Sequence, residues 1–303
     1  MAETPEVITI RASAAAPLTI DVVPALGGSL LAARWRGALI TRPLTLALDQ
    51  MTVSNTTSFA MAPFANRIDS GRFETNGREV IMPINRPAQN VAIHGIARNR
   101  SWRIESRAPD RLEVAVDVDA SDYPFKFSAR QVYSVSADAW TTALEVRNNG
   151  SQAMPFGIGH HPFFRRTPRA TLQFSARGYF DTDAARNLPT APSGPADGPM
   201  ANIHLTAADS IGIDRHYYGW SGPARIEWPE DALALEVSAS STLANAHVYL
   251  SPDEESLCIE PVSHVPDVHN HADWRAFGDV TILEPGQTMT GTMTCRVIKL
   301  APD

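Results

Sequence analysis

What most constrains the fold of this chain is a period of two. In RLEVAVDVD, Leu112, Val114, Val116 and Val118 fall on one side, opposite Glu113, Ala115 and Asp117. This is the spacing of a strand with one buried face. The run WTTALEVRN repeats it, with Trp140, Thr142, Leu144 and Val146 set against Thr141, Glu145 and Arg147, and LALEV does so with Leu233, Leu235 and Val237. No stretch of about ten residues or more carries the spacing of an amphipathic helix. Instead, 23 prolines and 18 glycines cut the chain into short pieces, and a proline inside a helix removes a donor that the helix needs. Asn76-Gly77 lies between RFET and REVIM and supplies the positive φ angles of a two-residue turn, which predicts a hairpin over residues 70–84. An all-β sandwich or barrel follows.

The most linker-like stretch is NLPTAPSGPADGPM, Asn187 to Met200. Strand-like patterning continues on both sides of it without a change of composition, so it reads as a long surface loop and residues 1–303 as a single domain. A formal charge of -7 and a pI near 5.7, with the acidic residues scattered, leave no basic surface for nucleic acid or anionic lipid. The N-terminal MAETPEVITI has no basic segment followed by an apolar run, and no stretch is long and apolar enough to span a bilayer, so the expected location is the cytoplasm, with no membrane partner. Cys258 and Cys295 lie outside any CxxC or zinc-type pattern and read as two reduced thiols.

Several segments place polar groups where a plain core strand would not. Asn66-Arg67 follows an apolar stretch and offers several donors and one acceptor, suited to hydroxyl groups, although a turn-forming Asn beside a surface Arg is the commoner reading. His94 in AIHG reads either as a buried histidine satisfied by backbone or as a site residue. His160 and His161 precede Pro162 and two phenylalanines, and adjacent residues of an extended chain point to opposite faces, so at most one of them enters a given pocket. In SLCIEP, Leu257 and Ile259 alternate with Cys258 and Glu260. If the first two face a core, Glu260 faces the other way, either as a solvated edge residue or as a base at the floor of a cleft.

Taken in order, PFANRIDSGRF, IHG with a downstream Trp102, HHPFF, IDRHYYGW, CIEPVSHVPDVHN and LEPGQTMTGTM span roughly residues 60 to 295. In this order they resemble the aldose 1-epimerases, or galactose mutarotases. The resemblance implies a large antiparallel β-sandwich that interconverts the α and β anomers of a sugar. It implies that Glu260 is the general base that takes the proton from the C1 hydroxyl, and that His161 is the general acid that protonates the ring oxygen. By the same resemblance His94 assists near the ring oxygen, while Asn66, Arg67 and Asp214 bind and orient the sugar. The implied partner is a small-molecule sugar, and neither a metal nor an organic cofactor is required.

The sequence departs from the commoner family pattern at Ile96, where many members carry a second glycine, and after HPFF, which continues with Arg165-Arg166. Both changes bear on which sugar is bound. Relatives act on hexose phosphates or other modified sugars, but no cluster of arginines suited to a phosphate stands out along the sequence. Two rival classes draw on the same residues. Glu260, His264, His269 and His271, spaced E-x3-H-x4-H-x-H, could be offered as metal ligands, but the spacing fits no compact metal motif. A non-catalytic carbohydrate-binding sandwich would need hydrogen-bond partners but no matched acid and base.

Overall fold

In the computed structural model, which describes residues 4–301 apart from 122, 195–199, 207–209 and 253–254, the alternating segments form two large antiparallel sheets. The nine-stranded sheet runs, in spatial order, through Arg103–Ala108, Arg111–Val118, Phe127–Val135, Ala139–Asn148, Thr288–Lys299, Leu233–Ala239, Ala224–Trp228, Thr171–Ala176 and Met200–Thr206. The predicted alternation holds. Leu112, Val114, Val116, Trp140, Leu144, Val146, Leu235 and Val237 are all buried in one core cluster, while Asp117 and Arg147 are exposed.

The 12-stranded sheet carries the candidate site. Its central strands are Ser29–Trp35, Ser58–Met61, Gly159–Pro162, Ser256–Val262, Asn245–Leu250 and Asp214–Tyr218, each hydrogen-bonded to the next. One set of side chains from these strands, including Ala60, Leu257, Ile259, Ala246 and Val248, packs with the core residues of the nine-stranded sheet. The alternate set faces the other way. Phe59, Met61, Cys258 and Val262 join Phe163 in a smaller cluster on the outer side, and Glu260 shares that side by its position in the strand.

The hairpin forms as expected. Arg72–Thr75 pairs with Arg78–Ile81, closed at Thr75↔Arg78, and both turn residues are left-handed, Asn76 at φ 51 and Gly77 at φ 68. That is the turn whose twist matches the strands it joins. The only helices among the described residues are short 3-10 turns, and none is long and apolar enough to cross a membrane. Cys258 and Cys295 are both free and buried.

One expectation needs correcting. The stretch from Asn187 to Met200 is not simply a loop, because Pro189–Ser193 pairs with Gly178–Thr182 and Met200 begins the strand Met200–Thr206. Pro189–Ser193 is the last strand of its sheet. An edge strand tolerates prolines because one row of its backbone groups needs no partner, and the prolines masked the pattern. Residues 195–199 of that stretch lie outside the described residues.

Candidate active site

Glu260 sits in the middle of the 12-stranded sheet and is 1 % exposed. Its direct cross-strand neighbour is His247. His161 reaches the same face from the strand Gly159–Pro162, where it stands opposite Phe59. The alternation of the two histidines is resolved by the pleat: His160 Nε2 approaches the carbonyl of Gly291 on the other sheet, at 3.4 Å, and His161 Nε2 lies 3.3 Å from Glu260 Oε1. The His161 ring is stacked on Phe163, centroids 4.4 Å apart, and tilted against Phe59 at 4.7 Å, so its orientation is set by packing.

His94 and Asn66 enter through two backbone segments held in a conformation most side chains avoid. Both are left-handed, Asn66 at φ 56 and His94 at φ 62, a local cost the surrounding structure must offset. They clasp each other: His94 N–H donates to the Asn66 carbonyl at 2.9 Å, and Asn66 N–H donates to His94 Nδ1 at 3.2 Å. With Nδ1 accepting, the ring proton of a neutral His94 is on Nε2. The ring meets His161 edge-on at 5.0 Å.

Asp214 collects the remaining polar groups. Arg67 donates to it from Nη2 at 3.0 Å, His247 Nε2 lies 2.6 Å from its other oxygen, and Asn187 Nδ2 donates at 2.9 Å. Asn66 Oδ1 in turn accepts from the Arg67 backbone N–H and from Nη1, at 2.9 and 3.2 Å. Burial alone would raise the Asp214 carboxyl, but the hydrogen bond from His247 and the charges of His247 and Arg67 outweigh it and hold Asp214 well below the carboxylate range. Asp214 is therefore a fixed anion.

Glu260 and His161 are displaced the other way. Burial, with the Asp214 charge adding to it, pushes Glu260 well above the usual carboxylate range. Burial, then Arg98 and the other nearby cations, pushes His161 well below the usual imidazole range. His94 is lowered likewise by burial and by Arg98. Opposed shifts of this kind mark a pair poised to trade a proton.

A cavity of about 700 Å³ opens over this floor, within the size range of small-molecule sites. All six residues expected from sequence, Glu260, His161, His94, Asn66, Arg67 and Asp214, line it together. So do residues that sequence reading passed over: His247, Asn187, and the arginines 42, 86 and 98. His247 carried a usable signal, since Ala246, Val248 and Leu250 are core residues and the strand period places His247 on the face opposite them. The rival metal set does not come together here. His264 spends both ring nitrogens on backbone, accepting from Ala65 N–H and donating to the Val265 carbonyl, while His271 stacks on Trp274 beside Asp267.

The family model described as Aldose 1-epimerase matches residues 10–296. YphB of Escherichia coli strain K12, itself named as an uncharacterized protein, is 27 % identical over 285 residues, 89 % of this chain and 93 % of that one. A solved structure of a proposed aldose 1-epimerase from Escherichia coli K12 superposes with a TM-score of 0.83 at 25 % identity, covering 97 % of this chain and 99 % of that one. The galactose 1-epimerase of Lactobacillus acidophilus NCFM superposes with a TM-score of 0.78 over 98 % of this chain and 100 % of its own, and its 15 % identity makes that a likeness of fold.

Proposed function

Because the chain belongs to the aldose 1-epimerase family, we propose that it is an isomerase that interconverts the α and β anomers of an aldose by acid–base ring opening and reclosure. The observation that carries this reading is the buried Glu260–His161 pair, 3.3 Å apart at the floor of the cavity. Glu260 takes the proton of the C1 hydroxyl, the C1–O1 bond becomes a carbonyl as the bond from C1 to the ring oxygen breaks, and His161 gives a proton to that oxygen. The aldehyde turns about its C1–C2 bond. The same steps in reverse then close the ring on the other carbonyl face.

Burial favours this chemistry in a specific sense. A carboxylate with a raised proton affinity is a stronger base, and an imidazolium with a lowered one is a stronger acid. Ring opening also neutralises the ionised pair, a change that a water-poor site promotes. His94, neutral with its proton on Nε2, is a donor to the ring oxygen, and Arg67, Asp214 and Asn66 hold sugar hydroxyls. Neither a metal nor a cofactor is needed for any step. Residues 1–303 act as one catalytic domain.

Polarimetric decay of fresh α-D-glucose, α-D-galactose and other aldoses tests the activity, and no acceleration of any of them would sink it. Glu260→Gln is expected to lower turnover about 1000-fold while sugar binding stays measurable. Near-normal rates in that variant would remove Glu260 as the base. Sugar binding with no catalysis in the wild type would instead favour a lectin-like protein.

A further inference from the structure

Beside the proposed acid and base lies a third reactive group that their proton exchange does not use. Cys258 stands two residues before Glu260 in the strand Ser256–Val262, so both side chains leave the same face. The register fixed by Gly159↔Val262 and Phe164↔Leu257 puts His161, on the neighbouring strand, across from Glu260. One donor atom from each residue, a thiol sulfur, a carboxylate oxygen and an imidazole nitrogen, lies within 4.8 Å of the other two. All three residues are buried. This set shares only Glu260 with the metal set that the sequence spacing offered.

Spacing and donor type suit one class of ligand. Zinc bonds of about 2.0–2.1 Å to nitrogen and oxygen, at a tetrahedral angle, hold those two atoms about 3.3 Å apart. His161 Nε2 lies 3.3 Å from Glu260 Oε1. A sulfur on the same ion stands about 3.6 Å from each of them, so a shift of the Cys258 side chain of about 1 Å completes the set. Glu260 Oε2 is buried with no hydrogen-bond partner among the described residues, which leaves the carboxylate able to turn either oxygen to an ion. Mixed nitrogen, sulfur and oxygen donors favour zinc and its thiophilic relatives, whereas calcium and magnesium take oxygen. The charges balance as well. The His161–Glu260 pair with one proton and the Cys258 thiol with another sum to zero, and a divalent ion that displaces both protons leaves zero again. Phe59, Met61 and Phe163 pack with Cys258 and keep water from its side of the site. The charges of Arg98, Arg42 and His247 act on His161 and that of Arg67 on Glu260, all against a cation, while the anion Asp214 acts for it. That balance suits an ion that comes and goes.

We propose that Cys258, His161 and Glu260 form a site for a thiophilic divalent cation of the zinc type, and that the bound ion switches the proposed proton exchange off. The site stands on geometry, and the inhibition rests on the proposed mutarotation. The ion takes the lone pair with which Glu260 would accept the C1 proton and the one on which His161 would carry the proton for the ring oxygen. The two displaced protons leave to solvent, and neither residue trades a proton with a sugar until the ion departs. Glu260 and His161 both line the cavity, so the fourth position of the ion faces it and is filled by a water. The ion and the anomeric end of a sugar therefore compete for one floor.

The test titrates the full chain with cadmium, read by the ultraviolet charge-transfer band of a cadmium–thiolate bond, and follows polarimetric mutarotation with and without zinc. One cadmium per chain should develop the band. Cys258→Ser should abolish it, and Cys295→Ser, which alters a thiol in the main core, should keep it. Zinc should stop mutarotation, a chelator should restore it, and magnesium and calcium should have no effect. In Cys258→Ser, measured against its own metal-free rate, half-inhibition should need more than about 100-fold more zinc, since losing a group that merely supports a ligand costs roughly 10–100-fold. Glu260→Gln keeps the thiol and should need about 100-fold more cadmium for the same band, so the assignment does not hang on one variant folding. A wild type without the band, or a band that follows Cys295, overturns the site. Zinc inhibition that is undiminished in Cys258→Ser, or full activity with the wild-type band developed, overturns the switch. A Cys258-dependent band with no turnover of any sugar upholds the site and defeats the isomerase.

Discussion

At the scale of single residues, Glu260 and His161 lose their ordinary proton preferences because both are buried and their charged neighbours are unsympathetic. Adding a second proton to the pair means charging His161 beside a neutral carboxyl, and burial together with Arg98 resists it. Removing the shared proton means charging Glu260 near Asp214, which burial also resists. The rate is thus expected to fall in acid as the second proton binds and in alkali as the shared one leaves, with a plateau broadened on both sides. Taking away the Arg98 cation raises the proton affinity of His161, so the acid limb of the D-glucose kcat/KM profile should move to higher pH in Arg98→Met. An unmoved limb would mean that Arg98 exerts no field on His161. The residues of this pair were visible in the sequence only with the family motifs as a guide. The strand period put Glu260 on the face away from the core, but a buried base and a solvated edge residue share that period.

Elements were more legible than sites, for a reason that individual strands make plain. Arg111–Val118 and Ala139–Asn148 each bury one face, so their side chains record the fold at every second position. Pro189–Ser193 leaves no such record, because an edge strand that buries little has no apolar row to display. The arginines were illegible for another reason. Positions 42, 86 and 98 belong to three connecting segments, and only the pairing of distant strands brings them to one wall. Glycines separate local from tertiary demands in a testable way. Gly77 is left-handed at φ 68 with nothing within 4 Å of its missing Cβ, so Gly77→Ala should cost about 1 kcal/mol in urea unfolding and leave activity alone. At Gly157 a Cβ would stand 2.0 Å from the His264 ring, which accepts from Ala65 N–H beside Asn66. Gly157→Ala should therefore cost about 3 kcal/mol and raise KM as well, and equal effects of the two variants would contradict this division.

For the molecule as a whole, the buried histidines couple stability to pH. His160 and His264 are pushed down to about 4 by burial, against 6.5 for the ordinary imidazole. Between those values the unfolded chain binds protons that the folded one does not, so stability falls as pH drops from 6.5 towards 4 and is complete above 6.5. Each histidine contributes on the order of 3 kcal/mol to that fall. Urea midpoints measured across this range should decline with acid, and a flat series would show that these rings are protonated in the fold. The central strands of the 12-stranded sheet have a further consequence. Ser58–Met61 lies against Gly159–Pro162, which lies against Ser256–Val262, so neighbours at the floor of the cavity are about a hundred residues apart along the chain. Closing such loops is slow and comes late. A refolding chain can complete its hairpins and much of the nine-stranded sheet while Glu260 and His161 are still strangers, and the proposed activity is among the last properties it regains.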